Sequence, residues 1–154
     1  MATADDYEAV RALIHEYCFR IDAGDLDGLA ALFDRAELGS SVRPERMRGR
    51  EEARHYYDGV MLYDDGTPQT MHCITNITIT MDADSRAANA RSYFTVLQSR
   101  PGLTLQPIIA GQYRDRFACD DDAGWHFTER IIHPDRLGDL SKHMNQRWIP
   151  RPRD

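Results

Sequence analysis

Two kinds of hydrophobic periodicity follow one another along the chain. Up to about residue 63, apolar residues recur at three- and four-residue steps, which is the spacing of amphipathic helices. From residue 69 onward, long runs that alternate between apolar and polar positions replace this pattern, as expected of half-buried strands. Helices followed by a meander of strands predict an α+β fold.

The N-terminal part is predicted to contain three helices. The first covers residues 5–22 and ends at Ala23-Gly24, because glycine readily adopts the left-handed conformation of a helix C-cap. Asp25 is a candidate N-cap for the second helix. The other predicted elements are a short strand over residues 36–42, a polar loop over 44–50, a third helix over 51–63 and a turn over 64–68.

The C-terminal part is predicted to contain four long strands joined by turns, over residues 69–81, 86–99, 103–119 and 125–133. Pro134 is expected to stop the last strand. A short helical segment over residues 137–144 is expected to follow. Residues 145–154 form a tail whose last five residues are expected to be disordered.

These elements predict a curved antiparallel or mixed sheet with the N-terminal helices packed on its concave face. Such a sheet has the shape of a cone around an apolar pocket, which is a natural ligand site. The sequence shows neither an internal repeat nor a domain linker. We therefore expect a single domain over residues 1–154, with an ordered core over about residues 5–144.

Charge and composition narrow the range of partners. The 154 residues have a formal net charge of -6, which argues against a dedicated nucleic-acid binder. No apolar run approaches the ~20 residues of a membrane span, and the N-terminus lacks the basic and apolar regions of a signal peptide. We expect a cytoplasmic protein that binds neither nucleic acid nor membrane. Two basic clusters are predicted to be solvated surface: Arg43, Arg46, Arg48 and Arg50, and Arg147, Arg151 and Arg153.

Several common site motifs are missing from the sequence. Cys18, Cys73 and Cys119 form no CxxC pair, so neither a zinc site nor a disulfide framework is indicated. The histidines include no HExxH or HxH pair. The chain also has no glycine-rich phosphate loop and no GxSxG nucleophile elbow. We expect no metal and no cofactor.

His72 and Asp22 are the first candidates for chemistry. Alternation along the first long strand puts His72, Ile74 and Asn76 on one face and Ile77 on the other. Asp22 ends the first helix, where a carboxylate opposes the helix dipole at a cost of ~0.3–1 kcal/mol. If the Asp22 side chain points into the cone, it could orient His72 as a general acid/base. Spacing alone favours the simpler interpretation of a structural histidine and a helix-end aspartate.

Arg130 is a further candidate, with two interpretations. Alternation along the last strand puts Arg130 and Phe127 on opposite faces. Arg130 could bind an anionic group or stabilise an oxyanion in the pocket. It could equally form a salt bridge with Asp115 or Glu129.

Four tyrosines are candidate phenols, although the simpler interpretation places each of them in the core: Tyr17, Tyr57, Tyr93 and Tyr113. Tyr17 lies five residues before Asp22, which is a separation of ~140° around an ideal helix. The two side chains can therefore share a pocket only if that pocket wraps around the helix end.

Four segments, in their order and spacing, carry a resemblance to a known family. They are Tyr17-Cys-Phe-Arg-Ile-Asp22-Ala-Gly-Asp25, His72-Cys-Ile-Thr-Asn76, Gly111-Gln-Tyr-Arg-Asp-Arg-Phe117 and Gly124-Trp-His-Phe-Thr-Glu-Arg130. From about Tyr7 to Met144 the chain resembles the SnoaL-like branch of the nuclear transport factor 2-like superfamily. Within this group it is similar to scytalone dehydratase, the bile acid dehydratases and lindane dehydrochlorinase. Those relatives use a His–Asp dyad in a cone-shaped cavity to abstract a proton and expel a leaving group.

The resemblance implies a role for four residues. Asp22 matches the dyad aspartate, His72 the dyad base, Tyr17 a tyrosine of the bile acid enzymes and Arg130 a pocket arginine of the dehydrochlorinase. The residues expected to contact substrate are Cys18, Leu38, Tyr57, Met61, Ile74, Asn76, Gln112 and Ile132.

The expected function is that of a cofactor-independent lyase, a dehydratase or polyketide-cyclase-like enzyme acting on a hydrophobic, oxygenated ring compound. One alternative is an isomerase or cyclase that uses the same dyad without loss of water. Another is a non-catalytic small subunit of a ring-hydroxylating dioxygenase, or a ligand-binding module. The partner is expected to be a hydrophobic small molecule, and the assembly a homodimer or homotrimer.

Overall fold

The first helix begins and ends as the sequence predicts. In the computed structural model, which describes residues 1–84 and 86–145, α1 covers Ala4–Asp22. The Thr3 side chain accepts a hydrogen bond from the Asp6 amide, and the Asp6 side chain accepts one from the Thr3 amide, which forms a capping box. The chain leaves the helix through Gly24, whose φ is 74°. Asp25 caps α2, Leu26–Ala31, by accepting a hydrogen bond from the Gly28 amide.

The described residues form six strands: β1 Glu37–Ser40, β2 Arg46–Arg48, β3 Thr70–Met81, β4 Ala87–Arg100, β5 Leu103–Asp120 and β6 Gly124–Leu137. They form one mixed sheet in the order β2-β1-β6-β5-β4-β3. The pairing of β1 with β6 is parallel, whereas every other described pairing is antiparallel. The sheet is not closed, because β2 and β3 lie at its two edges. The helices and this sheet form an α+β fold, as predicted.

The core lies between α1, α2 and the inner face of the sheet. The buried stripe of α1 consists of Val10, Ile14, Tyr17, Cys18 and Ile21. It packs with Phe33 and with the inward side chains of β4, β5 and β6, which include Phe94, Tyr113, Phe117 and Phe127. These apolar contacts hold the helix against the sheet.

Three predicted elements differ from the structure. The third helix, α3, is shorter than predicted: it covers Gly49–Tyr56 and is followed by a single 3₁₀ turn, Tyr57–Gly59. The predicted loop over residues 44–50 contains β2, which pairs with β1. Residues 137–144 form no helix; this segment turns back, and Met144 forms an isolated β-bridge with Val60. Most of the predicted tail, residues 146–154, lies outside the described residues.

Pro134 does not stop the last strand. In the pairing of β5 with β6, two residues of β6, Pro134 and Asp135, lie opposite the single residue Gly111. The proline therefore falls in a β-bulge, where its missing N–H costs no ladder bond. Gly111 permits the close approach, since a Cβ there would lie 1.9 Å from the carbonyl oxygen of His133.

Two further bulges change which side chains face inward. In β3, Asn76 and Ile77 lie opposite one residue of β4, and Asn76 has a φ of 55°. After this bulge Ile77 packs against the core and Asn76 is exposed, which corrects the predicted alternation. In β6 the pairing shifts at Thr128, so Phe127 and Arg130 are both buried and not on opposite faces.

A close backbone contact joins the end of α1 to the start of β3. A Cβ at Gly24 would lie 2.0 Å from the carbonyl oxygen of Gly66, in the turn that precedes Thr70. Only a glycine at position 24 allows the two segments to approach this closely. The contact fixes the C-terminal end of α1, which carries Asp22, beside the first residues of β3.

We expect Gly24→Ala to destabilise the protein more than Gly66→Ala. Both glycines have positive φ, 74° and 78°, so an alanine at either costs about 1–2 kcal/mol in backbone strain. Only position 24 adds a clash, because nothing lies within 4 Å of a Cβ at Gly66. Urea unfolding of both variants measures the difference, and equal losses of stability would contradict a tight contact at Gly24.

Candidate active site

The carboxylate of Asp22 accepts three hydrogen bonds from the first residues of β3. The His72 amide donates to Oδ2 at 2.7 Å, the Thr70 hydroxyl to Oδ1 at 2.8 Å, and the His72 ring lies with Nδ1 2.6 Å from Oδ1. These bonds compensate the unfavourable position of a carboxylate at a helix C-terminus. The contact between Asp22 and His72, which the sequence left open, is therefore formed.

The tautomer of His72 follows from this contact. An ionised carboxylate can only accept hydrogen bonds, so Nδ1 must carry the hydrogen that it donates to Asp22. In the neutral ring, Nε2 then has a free lone pair. The His72 side chain is 5% exposed and borders an internal cavity. His72 is thus placed as a base or hydrogen-bond acceptor at the wall of this cavity.

The cavity lies between the inner face of the sheet, α1 and the segment around residue 140. Its volume is about 90 Å³, which is enough to hold several water molecules. Ten of its lining residues are apolar: Ile21, Val42, Val60, Phe94, Val96, Ile109, Ile132, Pro134, Leu140 and Met144. The others are Tyr17, Ser40, Arg43, Tyr56, Tyr57, His72, Tyr113 and His143.

Tyr17 lines the cavity, whereas Asp22 does not. The ring centroids of Tyr17 and His72 are 6.4 Å apart and nearly perpendicular. Asp22 lies on the other side of His72, in an outer depression that His72 also borders. The pocket therefore does not wrap around the helix end; His72 itself connects the two side chains. The Tyr57 hydroxyl donates to the Tyr17 hydroxyl at 3.1 Å. Burial raises the pKa of Tyr17 to about 12, so the hydroxyl is neutral.

Arg130 lies in the core and not at the cavity wall. Its guanidinium donates two hydrogen bonds to the Asp115 carboxylate, at 2.8 and 2.7 Å, and both residues are buried. The pKa of Arg130 is raised by the charge and hydrogen bonds of Asp115, which outweigh its desolvation. Its Cζ atom lies 4.2 Å from the Tyr17 ring centroid and 4.1 Å from that of Tyr113. The structure thus shows the predicted salt bridge with Asp115, and it places Arg130 behind Tyr17.

Of the eight residues expected to contact substrate, Tyr57 and Ile132 line the cavity. The structure does not bring the other six to it. Cys18 and Ile74 line the outer depression, Leu38 is fully buried in the core, and Asn76 is exposed at the β3 bulge. Gln112 donates a hydrogen bond to Asp135, and Met61 donates its amide to the His143 carbonyl.

His143 is a cavity residue that sequence reasoning missed. It follows β6 by six residues, is 5% exposed and lines the cavity together with His72. Burial, and secondarily the proximity of His72, lower the pKa of His143 to about 4, so the ring is neutral at physiological pH. The only sequence signal was a histidine between hydrophobic residues, Leu140 and Met144, in a segment that was predicted to be helical.

Residues 1–84 and 86–145 contain neither a metal-binding cluster nor a membrane-spanning helix. Within these ranges, no three His, Cys, Asp or Glu side chains are grouped so that they could bind a metal ion. No helix in the same ranges has the length and hydrophobicity needed to cross a membrane.

Comparison with solved structures defines the class of fold. An NTF2-like protein with a cystatin-like fold from Novosphingobium aromaticivorans is 22% identical, with a TM-score of 0.71 over 90% of this chain and 86% of that chain. A candidate scytalone dehydratase from the same organism is 22% identical, with a TM-score of 0.67 over 89% and 91%. ActVI-ORFA from Streptomyces coelicolor is 16% identical, with a TM-score of 0.68 over 84% and 96%. The protein therefore has the cystatin-like fold of the NTF2-like proteins.

The family follows from the sequence. A family model described as the SnoaL-like domain matches residues 2–131, most of the chain. The protein thus belongs to the SnoaL-like family, which confirms the resemblance seen in its four segments. No curated protein matches the chain.

We expect Arg130→Met to lower the free energy of unfolding by about 3–5 kcal/mol, because it leaves the buried Asp115 carboxylate without its partner. Arg130→Met combined with Asp115→Leu removes both charges and should recover most of this loss. Urea unfolding of the two single variants and the double variant measures the coupling. Additive losses would contradict a strongly coupled pair.

The stability of the protein should fall as His143 becomes protonated. The unfolded chain binds a proton near the ordinary pKa of 6.5, whereas the folded chain binds it only near pH 4. Acidification from pH 7.5 to pH 4 therefore lowers the free energy of unfolding, by about 3 kcal/mol at pH 4. His143→Leu has no titrating group at this position. The unfolding free energy of wild type minus that of His143→Leu should therefore fall by about 3 kcal/mol between pH 7.5 and pH 4. A constant difference would show that His143 is not buried in its neutral form.

Proposed function

We propose that this protein is a cofactor-independent lyase, a dehydratase or polyketide-cyclase-like enzyme, that removes a proton next to a carbonyl group of a hydrophobic, oxygenated ring compound. One observation carries this proposal: His72 is held by Asp22 through a 2.6 Å hydrogen bond at the wall of an apolar cavity. A base fixed in one tautomer and shielded from bulk water is the arrangement that proton abstraction from carbon requires.

The roles of the two residues follow from their contacts. His72 Nε2 takes the proton from the carbon, because Nδ1 is occupied by Asp22. Asp22 holds the ring orientation and stabilises the imidazolium that forms. Its other hydrogen bonds, from the His72 amide and the Thr70 hydroxyl, keep the carboxylate in place during this change.

The elimination returns the proton to the departing oxygen. A C–H bond adjacent to the carbonyl breaks, its electron pair forms the new C=C bond, and the C–O bond to the β-hydroxyl group breaks. The His72 imidazolium gives its proton to the leaving hydroxide, so water is released and the neutral ring is restored. Tyr17, whose hydroxyl accepts from Tyr57 and keeps its own hydrogen, supplies a neutral donor to an oxygen of the substrate.

Other features support this class of substrate. The lining is mostly apolar, and its polar groups are hydroxyls, imidazoles and one guanidinium, that of Arg43. The chain is similar in fold to a candidate scytalone dehydratase, a name that refers to loss of water. The assembly of this protein as a homodimer or homotrimer, expected from the sequence, stays a prediction.

We expect His72→Gln and Asp22→Asn each to lower kcat/KM by about 100-fold or more, as for loss of a general base. The suitable probe is 3-hydroxy-1-tetralone, which loses water to give 1-naphthol and can be followed by absorbance. Hydrogen–deuterium exchange at C2 of 1-tetralone in D2O, followed by NMR, reports proton abstraction without elimination.

His126→Gln is the matched control, since His126 bonds to the Gly124 carbonyl at the β5–β6 turn and does not line the cavity. Thermal melting shows whether each variant folds. Exchange without loss of water would favour the isomerase. Folded His72 and Asp22 variants as active as wild type would show that this pair is not the catalytic base. A wild type that catalyses neither dehydration nor exchange would leave only a ligand-binding role.

A further inference from the structure

The cavity holds a second imidazole whose surroundings differ from those of His72. Among the described residues, the Nδ1 atom of His143 is buried and has no hydrogen-bond partner. No carboxylate of the described residues is hydrogen-bonded to this ring, whereas Asp22 contacts the ring of His72. The two histidines therefore cannot have the same hydrogen-bonding role.

The tautomer of His143 can be inferred from its buried nitrogen. An enclosed N–H donor without a partner is rarer and less favourable than an enclosed acceptor without one. The hydrogen of the neutral ring is thus expected on Nε2, and Nδ1 carries the lone pair. In this form His143 offers one N–H donor, and burial keeps the ring uncharged, with a pKa of about 4.

The backbone around His143 is held firmly in place. The His143 carbonyl accepts a hydrogen bond from the Met61 amide at 2.8 Å, and the His143 amide donates to Leu140 at 3.0 Å. The Gln98 side chain donates to the carbonyl of Lys142 at 2.9 Å, and Met144 forms a β-bridge with Val60. A donor fixed in this way is preorganised, so little order is lost when a ligand binds.

We propose that His143, which lines the same cavity as the base His72, is the neutral hydrogen-bond donor to the carbonyl oxygen of the substrate, and that the substrate is therefore an enolisable ketone. The proposal rests on the proposed function of His72. When His72 removes the proton from carbon, negative charge develops on the carbonyl oxygen, and the His143 N–H strengthens its hydrogen bond to that oxygen. His143 transfers no proton; the proton passes only between the substrate carbon, His72 and the leaving oxygen.

A neutral donor suits this position better than a charged one. An imidazolium at His143 would lie in the same cavity as the imidazolium that forms at His72, and the two charges would repel. The neutral ring avoids this repulsion and still polarises the carbonyl group. Of the arginines, Arg130 is bound to Asp115 outside the cavity, and Arg43, which lines the cavity, interacts with Tyr56.

The test compares two ligands that differ by one carbonyl oxygen, 1-tetralone and tetralin. Wild type is expected to bind 1-tetralone more tightly than tetralin. In His143→Leu the ratio of the two dissociation constants should fall by about 10-fold. In wild type the infrared C=O stretch of bound 1-tetralone should shift to lower frequency, and this shift should shrink in His143→Leu. His143→Gln keeps an N–H donor and should restore part of both signals, whereas the control His126→Leu should behave as wild type.

Catalysis gives the second readout. Exchange at C2 of 1-tetralone should slow by about 100-fold in His143→Leu, mainly through kcat, and His143→Gln should recover part of the rate. Nitrogen-15 NMR of labelled histidine should show His143 as the neutral Nε2–H tautomer at pH 7. An imidazolium or an Nδ1–H tautomer would overturn the proposal.

The two proposals can fail separately. If His72→Gln abolishes exchange while His143→Leu changes neither exchange nor the preference for 1-tetralone, the donor role of His143 is wrong and the proposed function stands. If wild type catalyses no exchange but its preference for 1-tetralone depends on His143, the donor role stands and the proposed function is wrong. Should His143→Leu fail to fold, His143→Gln and the NMR measurement on wild type still decide.

Discussion

The Asp22 carboxylate joins the end of α1 to β3, and the arrangement of the site depends on this junction. Its three hydrogen bonds come from one main-chain amide, one hydroxyl and one imidazole within three residues of β3. The same bonds stabilise a charge that the helix dipole disfavours and fix the tautomer of His72. The contact that anchors the helix end also orients the His72 ring, so in the proposed function the structural and chemical roles of Asp22 cannot be separated.

A second constraint lies behind the cavity, in the Arg130–Asp115 pair. Burying two charges is costly, and only a good geometry with both hydrogen bonds offsets that cost. The guanidinium then serves as a flat cationic surface against Tyr17 and Tyr113. Arg130 thus supports Tyr17 and Tyr113, which line the cavity, although Arg130 itself does not line it.

The sequence predicted the long elements well because their periodicity extends over many residues. It failed where a single residue changes the register: Asn76, Thr128 and Pro134 each lie in a bulge, and a bulge reverses the alternation on which the predicted faces depend. The Asp22–His72 contact could be suspected only through the family, since it depends on a close approach of Gly24 to Gly66 across the fold. His143 was missed because its segment has no regular period, and only its burial in the cavity distinguishes it.

The two histidines show how neighbouring contacts divide the roles of identical side chains. The Asp22 carboxylate holds the His72 ring by its Nδ1 hydrogen, which leaves Nε2 to accept the proton of the substrate in the proposed function. Within residues 1–84 and 86–145, the Nδ1 atom of His143 has no partner, and burial keeps this ring neutral. In the proposed reaction the proton therefore passes to His72, and the position of Asp22 sets the orientation of that acceptor.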